Sequence, residues 1–260
     1  MSHVTHAGDR WTPARKALVG VGAAIIFATW LYIVLVRPTD WESVTSSREG
    51  LITLAGYGVG TVLLLAATLP ILPARTIGLI PIAMIINSVI GQIVGSIGVP
   101  LYLDTIGTVL VAALAGPVAG MATGALNNVV WGLLTPAALP FAAGAALVGF
   151  LAGVFIHALR AFRNVGFVVL YGALLGLIGG VVAAPVAAFV YGGTAGLGTG
   201  AVVTLFREMG ASLLESVTFQ SFISDPLDKI LVMLIVFGAM KAMPKRMVRS
   251  FAPLEESATP

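Results

Sequence analysis

The chain of 260 residues contains no cysteine, and only 10% of its residues are charged. The absence of cysteine excludes disulfides and thiolate metal sites. An ordinary soluble domain is about 25% charged, whereas this chain is 58% hydrophobic and has a mean hydropathy of +1.02. These values exclude a soluble enzyme and predict an all-α protein that crosses a membrane several times.

The few charges are also unevenly distributed along the chain. The net charge of +3 is spread thinly, without a long basic stripe, which argues against nucleic-acid binding. Asp104 is the one charged residue between positions 76 and 159, and positions 164–206 contain none. Because backbone polar groups in hydrocarbon must pair internally, these stretches are expected to be membrane-spanning helices.

Several sequence motifs of enzymes are missing. The chain has no GxxxxGK[ST] loop for ATP, no HExxH zinc motif and no GxSxG nucleophile elbow. It also shows no arginine-rich span and no evident pair of acids inside a span, which a proton relay or voltage sensor would need. We therefore expect a protein that is not an enzyme and that holds no cofactor or metal.

Hydropathy and helix breakers predict eight spans. They lie at about 17–36, 51–72, 77–97, 104–116, 118–134, 138–159, 166–192 and 226–243. The first is interpreted as a retained span, since its apolar run is too long for a signal peptide and lacks a cleavage site. The segment 194–224 is glycine-rich and then amphipathic, which predicts an interfacial or re-entrant stretch.

Charge counting predicts that both chain ends are cytoplasmic. The basic residues on that side would be Arg10, Arg15, Lys16, Arg75, Arg160, Arg163, Lys241, Lys245, Arg246 and Arg249. Those on the outer side would be Arg37, Arg48, Arg207 and Lys229. Most acids fall outside, so a ligand would enter across an acidic face.

Small residues recur at four-residue steps in several spans, as helices that pack closely in membranes require. They form the stripes Ala83/Asn87/Gly91/Gly95, Gly116/Gly120/Gly124, Ala145/Gly149/Gly153 and Gly172/Gly176/Gly180. Packing within the bundle is the simpler interpretation of each stripe. The first stripe is also a candidate docking face for a partner helix.

Polar residues within the apolar regions are candidates for a binding site. Asp104 follows Pro100 and is either a helix N-cap or a binding residue, and Tyr102 is an interfacial anchor or a pocket wall. Asn127 and Asn128 share a helix face with Trp131, so an amide and an aromatic ring are presented together. This pattern suits a flat, heteroatom-rich ligand, although bonds between helices are the alternative.

Two further segments carry polar residues. Asp225 and Asp228 flank Pro226, which resembles a capping box at the start of the last span, with Asp225 as N-cap. Asp228 and Lys229 then either form a local pair or contact a ligand, and Gln220 faces the same outer cavity. Asn87 and Gln92 in the third span are interpreted as bonding between helices.

From about Ile77 onward the chain resembles the substrate-binding S component of energy-coupling factor (ECF) transporters. The resemblance rests on VPLYLDTIGTVLVAALAGPVAGMATGALNNVVWGLLTPAALPF at 99–141 and on SDPLDKILVMLIVFGAMKAMPKR at 224–246. It implies a six-helix substrate-binding core at 77–246. The two extra spans at 17–72 and the cytoplasmic tails at 1–16 and 247–260 complete the chain.

The resemblance implies a function and a set of residues. The protein would sit in the plasma membrane and capture a small vitamin-like micronutrient from outside. A membrane coupling subunit and two cytoplasmic ATPase subunits would drive uptake. The residues expected to line the pocket are Tyr102, Asp104, Asn127, Asn128, Trp131, Gln220 and Asp228. The first core helix would dock the coupling subunit through Ala83, Asn87, Gly91 and Gly95, although Asn87 departs from the small-residue pattern.

Three other functions stay open. A stand-alone secondary carrier would not need ATPases, but it would need acids inside the membrane. An intramembrane enzyme would require Asp104 for turnover. A membrane sensor or assembly subunit would use the first two spans as contacts. The substrate is not identified; acids outside and buried amides fit a cationic or neutral heteroaromatic molecule.

Overall fold

The structure of the protein is a computed structural model that describes residues 11–38, 47–193 and 197–253. Every regular element within these ranges is a helix. The ten α-helices are α1 (Pro13–Val36), α2 (Arg48–Thr68), α3 (Ala74–Ser96), α4 (Ile106–Ala115), α5 (Pro117–Leu134), α6 (Ala142–His157), α7 (Val165–Tyr191), α8 (Leu197–Glu208), α9 (Leu213–Ala242) and α10 (Lys245–Phe251). Short 3₁₀-helices cover Leu69–Ile71, Pro136–Phe141 and Ala161–Arg163.

Five of the described helical segments are long and apolar enough to cross a membrane. They are α1, α2 with its 3₁₀ extension, α3, α6 with the 3₁₀-helix before it, and α7. Large apolar side chains lie exposed along their outer faces, for example Phe27, Leu35, Ile85 and Ile93. Such faces are unfavourable in water and favourable in lipid. The chain is therefore an all-α, multi-pass membrane protein, whereas the count of eight spans stays a prediction.

The short helix α4 turns directly into α5 at Gly116. Its φ of +93° lies in the region that only glycine adopts without strain, and Pro117 then begins α5. The sequence predicted this glycine–proline turn from the residues alone.

The small-residue stripes of α5 and α6 pack against each other. A Cβ on Gly120 would collide with the backbone of Gly149, and a Cβ on Gly124 would collide with the backbone of Ala145. Gly153 meets Pro117 in the same way. The prediction that these stripes pack within the bundle is confirmed, because the two backbones touch where side chains would otherwise separate them.

The glycine stripe of α7 packs against α9. Gly172 faces the backbone of Ile230, and Gly176 and Gly180 face Asp225. This contact places Asp225 in the interior of a continuous helix, so its predicted role as an N-cap is wrong. Pro226 continues the helix, which is tolerated in buried helices when neighbouring groups satisfy the freed carbonyl.

The true start of α9 is thirteen residues before the predicted one, at Leu213. Ser212 is the N-cap, and a capping box joins it to Glu215: the Glu215 N–H donates to Ser212 Oγ, and the Ser212 N–H donates to Glu215 Oε2 at 2.8 Å. These bonds hold the pKa of the exposed Glu215 carboxyl below its usual value. The stretch 197–223 therefore forms α8 and the first turns of α9.

The two N-terminal helices pack on the rest of the bundle. Gly22 and Gly60 let α1 and α2 approach closely, with the Gly60 carbonyl 2.9 Å from where a Cβ of Gly22 would lie. The Tyr57 hydroxyl donates to the Pro140 carbonyl at 3.3 Å. Trp30 of α1 also donates to a carbonyl of α7. Helices α1 and α2 thus share a hydrophobic cluster with α5, α6 and α7.

The stripe predicted to dock a partner helix lies inside this chain. Ala83 is fully buried, and its backbone occupies the space beside Gly107 of α4. Asn87 is also fully buried and bonds to α4, and Gly91 packs against the loop that precedes α4. Only Gly95 faces open space. Because α4 covers Ala83 and Asn87, these two residues are not exposed to a partner, and docking through the stripe stays a prediction.

Candidate functional site

A cavity of about 350 Å³ lies among the helices. Its walls come from α3, α5, α6, α7 and α9, together with the loop 97–105 and the 3₁₀-helix Pro136–Phe141. All the residues that line it lie within 77–246, where the resemblance implies a substrate-binding core. The volume suits a small organic molecule.

A buried carboxylate holds the loop 97–105 in place. Asp228 of α9 is completely buried, and its Oδ1 accepts hydrogen bonds from the backbone N–H groups of Tyr102 (2.8 Å) and Leu103 (2.7 Å). Leu103 has a φ of +50°, a conformation that an L-residue rarely adopts. The two hydrogen bonds stabilise this bend, and the bend directs Tyr102 and Asp104 to the cavity.

Lys229 lies beside Asp228 on α9, and oxygen atoms surround its ammonium group. Its Nζ is 2.6 Å from Asp228 Oδ2, 3.1 Å from Thr105 Oγ1 and 3.6 Å from Asp104 Oδ1. Only 10% of the Lys229 side chain is exposed. A charge this deeply buried requires such partners, because isolated burial of an ammonium group is very unfavourable.

Asp104 lines the cavity with a side chain that is 49% exposed. Thr105, and not Asp104, is the N-cap of α4, so the alternative of a capping role is wrong. The carboxylate instead pairs with Lys229 across the wall of the cavity.

The two adjacent asparagines of α5 differ in how they bond. The Asn128 amide accepts from Asn127 Nδ2 at 3.1 Å and donates to the Ala138 carbonyl at 3.0 Å. Asn127 is 7% exposed, and its Oδ1 has no hydrogen-bond partner among the residues that the structure describes. An amide oxygen buried in this way is unfavourable unless something bonds to it. Both residues line the cavity.

Aromatic side chains form the apolar part of the wall. Trp131 lies one turn after Asn127 on α5, and Phe141 ends the neighbouring 3₁₀-helix. Phe141 stacks on Tyr191 with ring centroids 5.7 Å apart, and the Tyr191 hydroxyl donates to the Ala137 carbonyl. This stack holds one aromatic wall in place before any ligand arrives.

Five of the seven residues predicted to line a pocket lie around this cavity: Tyr102, Asp104, Asn127, Asn128 and Trp131. Asp228 lies behind the wall and positions the loop. Gln220 is buried outside the cavity lining, with an unpaired Nε2. That these residues bind a ligand stays a prediction.

Several residues that line the cavity were not predicted from the sequence to do so. Asp225 and Ser221 of α9 line the cavity, although the Asp-Pro pair suggested a helix start there. Ser88, Gly91 and Gln92 of α3 line it as well. A four-residue step from Ser221 through Asp225 to Lys229 is the signal that would have placed all three on one helix face.

Asn87 bonds α3 to α4 and also contributes to the wall of the cavity. Its Oδ1 accepts from the Gly107 N–H at 2.7 Å, and its Nδ2 donates to Thr108 Oγ1 at 2.9 Å. The prediction of a bond between helices is confirmed for Asn87. Gln92, predicted to do the same, is exposed and lines the cavity.

The cavity offers carboxylate and amide oxygens, one paired ammonium group and aromatic faces. Within the described ranges no group of three or more histidines and acids is arranged to hold a metal ion. The arrangement is suited to binding a small molecule by hydrogen bonds, charge and stacking. Comparisons with profiles of known protein families, with curated proteins and with solved structures give no match to this chain.

Proposed function

We propose that the protein is a membrane-embedded substrate-binding subunit of the ECF S-component type. It captures a small micronutrient in the cavity, and partner subunits in the membrane and cytoplasm supply the energy for uptake. The observation that carries the proposal is the cavity itself: polar groups converge on a space the size of a small organic molecule, surrounded by apolar helices. The motifs at 99–141 and 224–246 support the transporter class.

The position of the loop 97–105 also supports this proposal. The loop contributes Tyr102 and Asp104 to the cavity and is anchored by Asp228. It joins α3 to α4, where the resemblance places the loop above the pocket. Release of these few hydrogen bonds would open the cavity without unfolding a helix.

Co-purification tests the proposed partners. The full chain, tagged and extracted from its own membranes in mild detergent, should bring with it a membrane coupling subunit and two ATPase subunits. Substrate uptake should then require ATP hydrolysis. Purification of the chain alone at low detergent, with uptake intact in cells that lack those ATPases, would contradict the proposal.

A secondary carrier is the second candidate, and one observation favours it. The sequence shows no evident acid pair inside a span, but in the structure Asp225 and Asp228 lie buried within α9 beside Lys229. Buried ionisable groups within membrane helices often serve ion coupling. Uptake that a protonophore abolishes and that persists without ATP would favour the carrier.

A further inference from the structure

The cavity carries more negative than positive groups. Asp104 and Asp225 line it, Asp228 lies directly behind its wall, and Lys229 is the only cationic side chain among the described residues that line it. Asp225 is 7% exposed and forms no ion pair with Lys229 within 4 Å. The excess of carboxylates over the lysine would attract a cation and repel an anion.

Lys229 is already engaged within the protein, by two hydrogen bonds and one longer ion pair. An ammonium group has three N–H donors, and three oxygen atoms lie around this one, on Asp228, Thr105 and Asp104. An anionic ligand would have to displace the Asp104 carboxylate from this ammonium group or break one of its two hydrogen bonds. Such displacement is unfavourable in a buried site.

Asn127 provides an independent observation that points to a ligand with donors. Its side chain is more than nine-tenths buried, it lines the cavity, and its Oδ1 lacks a partner. The orientation of this amide follows from its neighbour, because Asn127 Nδ2 already donates to the Asn128 amide oxygen. The open position on Asn127 is thus an acceptor, which an N–H group of a ligand would satisfy.

From these contacts we infer that the cavity binds a small organic cation whose N–H groups donate to Asp225, Asp104 and Asn127 and whose flat apolar part lies against Trp131 and Phe141. A protonated amine or amidine attached to a ring has this chemistry. The inference deepens the proposed function and rests on its cavity, since it names the class of substrate that the cavity selects.

Three probes of nearly equal shape test this inference on the full chain in detergent micelles. Benzamidine is cationic with N–H donors, benzamide is neutral, and benzoate is anionic. Isothermal titration should show benzamidine binding at least tenfold more tightly than benzamide, and benzoate binding most weakly. Equal affinities, stronger binding of benzoate, or no binding of benzamidine would overturn the inference.

Variants connect the selectivity to residues. Asp225→Asn should weaken the binding of benzamidine at least tenfold and reduce the ratio of its affinity to that of benzoate. Loss of the fold would instead weaken the binding of all three probes equally. Asn127→Leu should weaken the binding of both benzamidine and benzamide, because both carry N–H donors. The control is Glu215→Gln, which removes an acid outside the cavity and keeps a capping residue. Unchanged selectivity in Asp225→Asn would also overturn the inference.

If Asp225→Asn does not yield folded protein, the ranking of the three probes on the unmodified chain decides alone. The result is separate from that of the proposed function. If the chain co-purifies with ATPases but prefers benzoate, the proposed function is supported and the cationic substrate is contradicted. If the chain prefers benzamidine but has no ATPase partners, the substrate class is supported and the ECF type is contradicted.

Discussion

The carboxylate of Asp228 accepts a hydrogen bond of 2.8 Å from the backbone N–H of Tyr102, a residue 126 positions away in the chain. The same carboxylate contacts Lys229 Nζ at 2.6 Å. One buried acid therefore joins α9 to the loop 97–105 and neutralises the lysine beside the cavity. The bundle and the binding site depend on the same residue.

Asp228→Asn should destabilise the protein by about 3–5 kcal/mol, because it leaves the buried Lys229 without its nearest partner. The double variant Asp228→Asn/Lys229→Met should lose less than Asp228→Asn alone, since no unpaired charge remains. Denaturant titration in micelles, analysed as a double-mutant cycle, measures both values. Additive effects of the two substitutions would mean that the pair is not coupled.

Gly149→Ala should destabilise the contact between α5 and α6 by about 1–3 kcal/mol, because its methyl group would collide with the backbone of Gly120. Gly78→Ala is the matched control, since no atom lies within 4 Å of its added Cβ. Alanine favours helix more than glycine does, so Gly78→Ala should be neutral or slightly stabilising. The melting temperature of Gly149→Ala should fall below that of the unmodified chain, whereas that of Gly78→Ala should stay equal or rise. A similar decrease in both variants would contradict this packing.

Trp131→Ala should weaken benzamidine binding about tenfold, because an aromatic contact contributes about 0.5–1.5 kcal/mol beyond the area it buries. Trp131→Phe keeps an aromatic face and should remain within about threefold of the unmodified chain on the same ground. Calorimetric titration of both variants gives the comparison. Equal losses in the two variants would exclude stacking as the reason that Trp131 matters.

The capping box of α9 predicts a dependence on pH. The folded state lowers the pKa of Glu215 through its hydrogen bonds with Ser212. The stabilisation is therefore present above the usual glutamate pKa and is lost as the pH falls through the lowered value. Ser212→Ala should lower the melting temperature more at pH 7 than at pH 3. A deficit that does not change with pH would show that Glu215 does not take part.

Labelling of single cysteines tests the predicted orientation, and the natural chain is a suitable background because it has no cysteine. Met209→Cys, between α8 and α9, should react with a membrane-impermeant maleimide in intact cells. Leu159→Cys, after α6, should react only after permeabilisation. Both side chains are exposed in the structure, so neither is shielded by another helix. The reverse pattern would place the chain ends outside.

Much of the helix packing is predictable because it depends on neighbours in sequence. The turn at Gly116 needs a glycine, and the stripes of α5, α6 and α7 need small residues at four-residue steps. Both signals are local, and the structure confirms them. The surface that a stripe packs against is not encoded locally, so the sequence alone did not predict that Ala83 and Asn87 contact α4.

The candidate site is predictable only in part. Asn127 and Trp131 could be grouped because they lie on one helix face. The start of α9 was placed at Asp225 because an Asp-Pro pair is a strong helix-start signal. The signal from Ser212 and Glu215 lies outside the strongly apolar part of the segment, and that capping box is the one that forms.

By itself, the sequence determined that the chain is helical and lies in a membrane, because long apolar runs without charge have no other stable backbone arrangement there. It also determined which few polar residues are candidates for a site. Only the tertiary structure decided how their charges pair. Asp104 and Asp225 lie 121 positions apart in the sequence, and whether a buried acid pairs with Lys229, anchors a loop or faces a cavity depends on distances of a few ångströms between helices that no local pattern encodes.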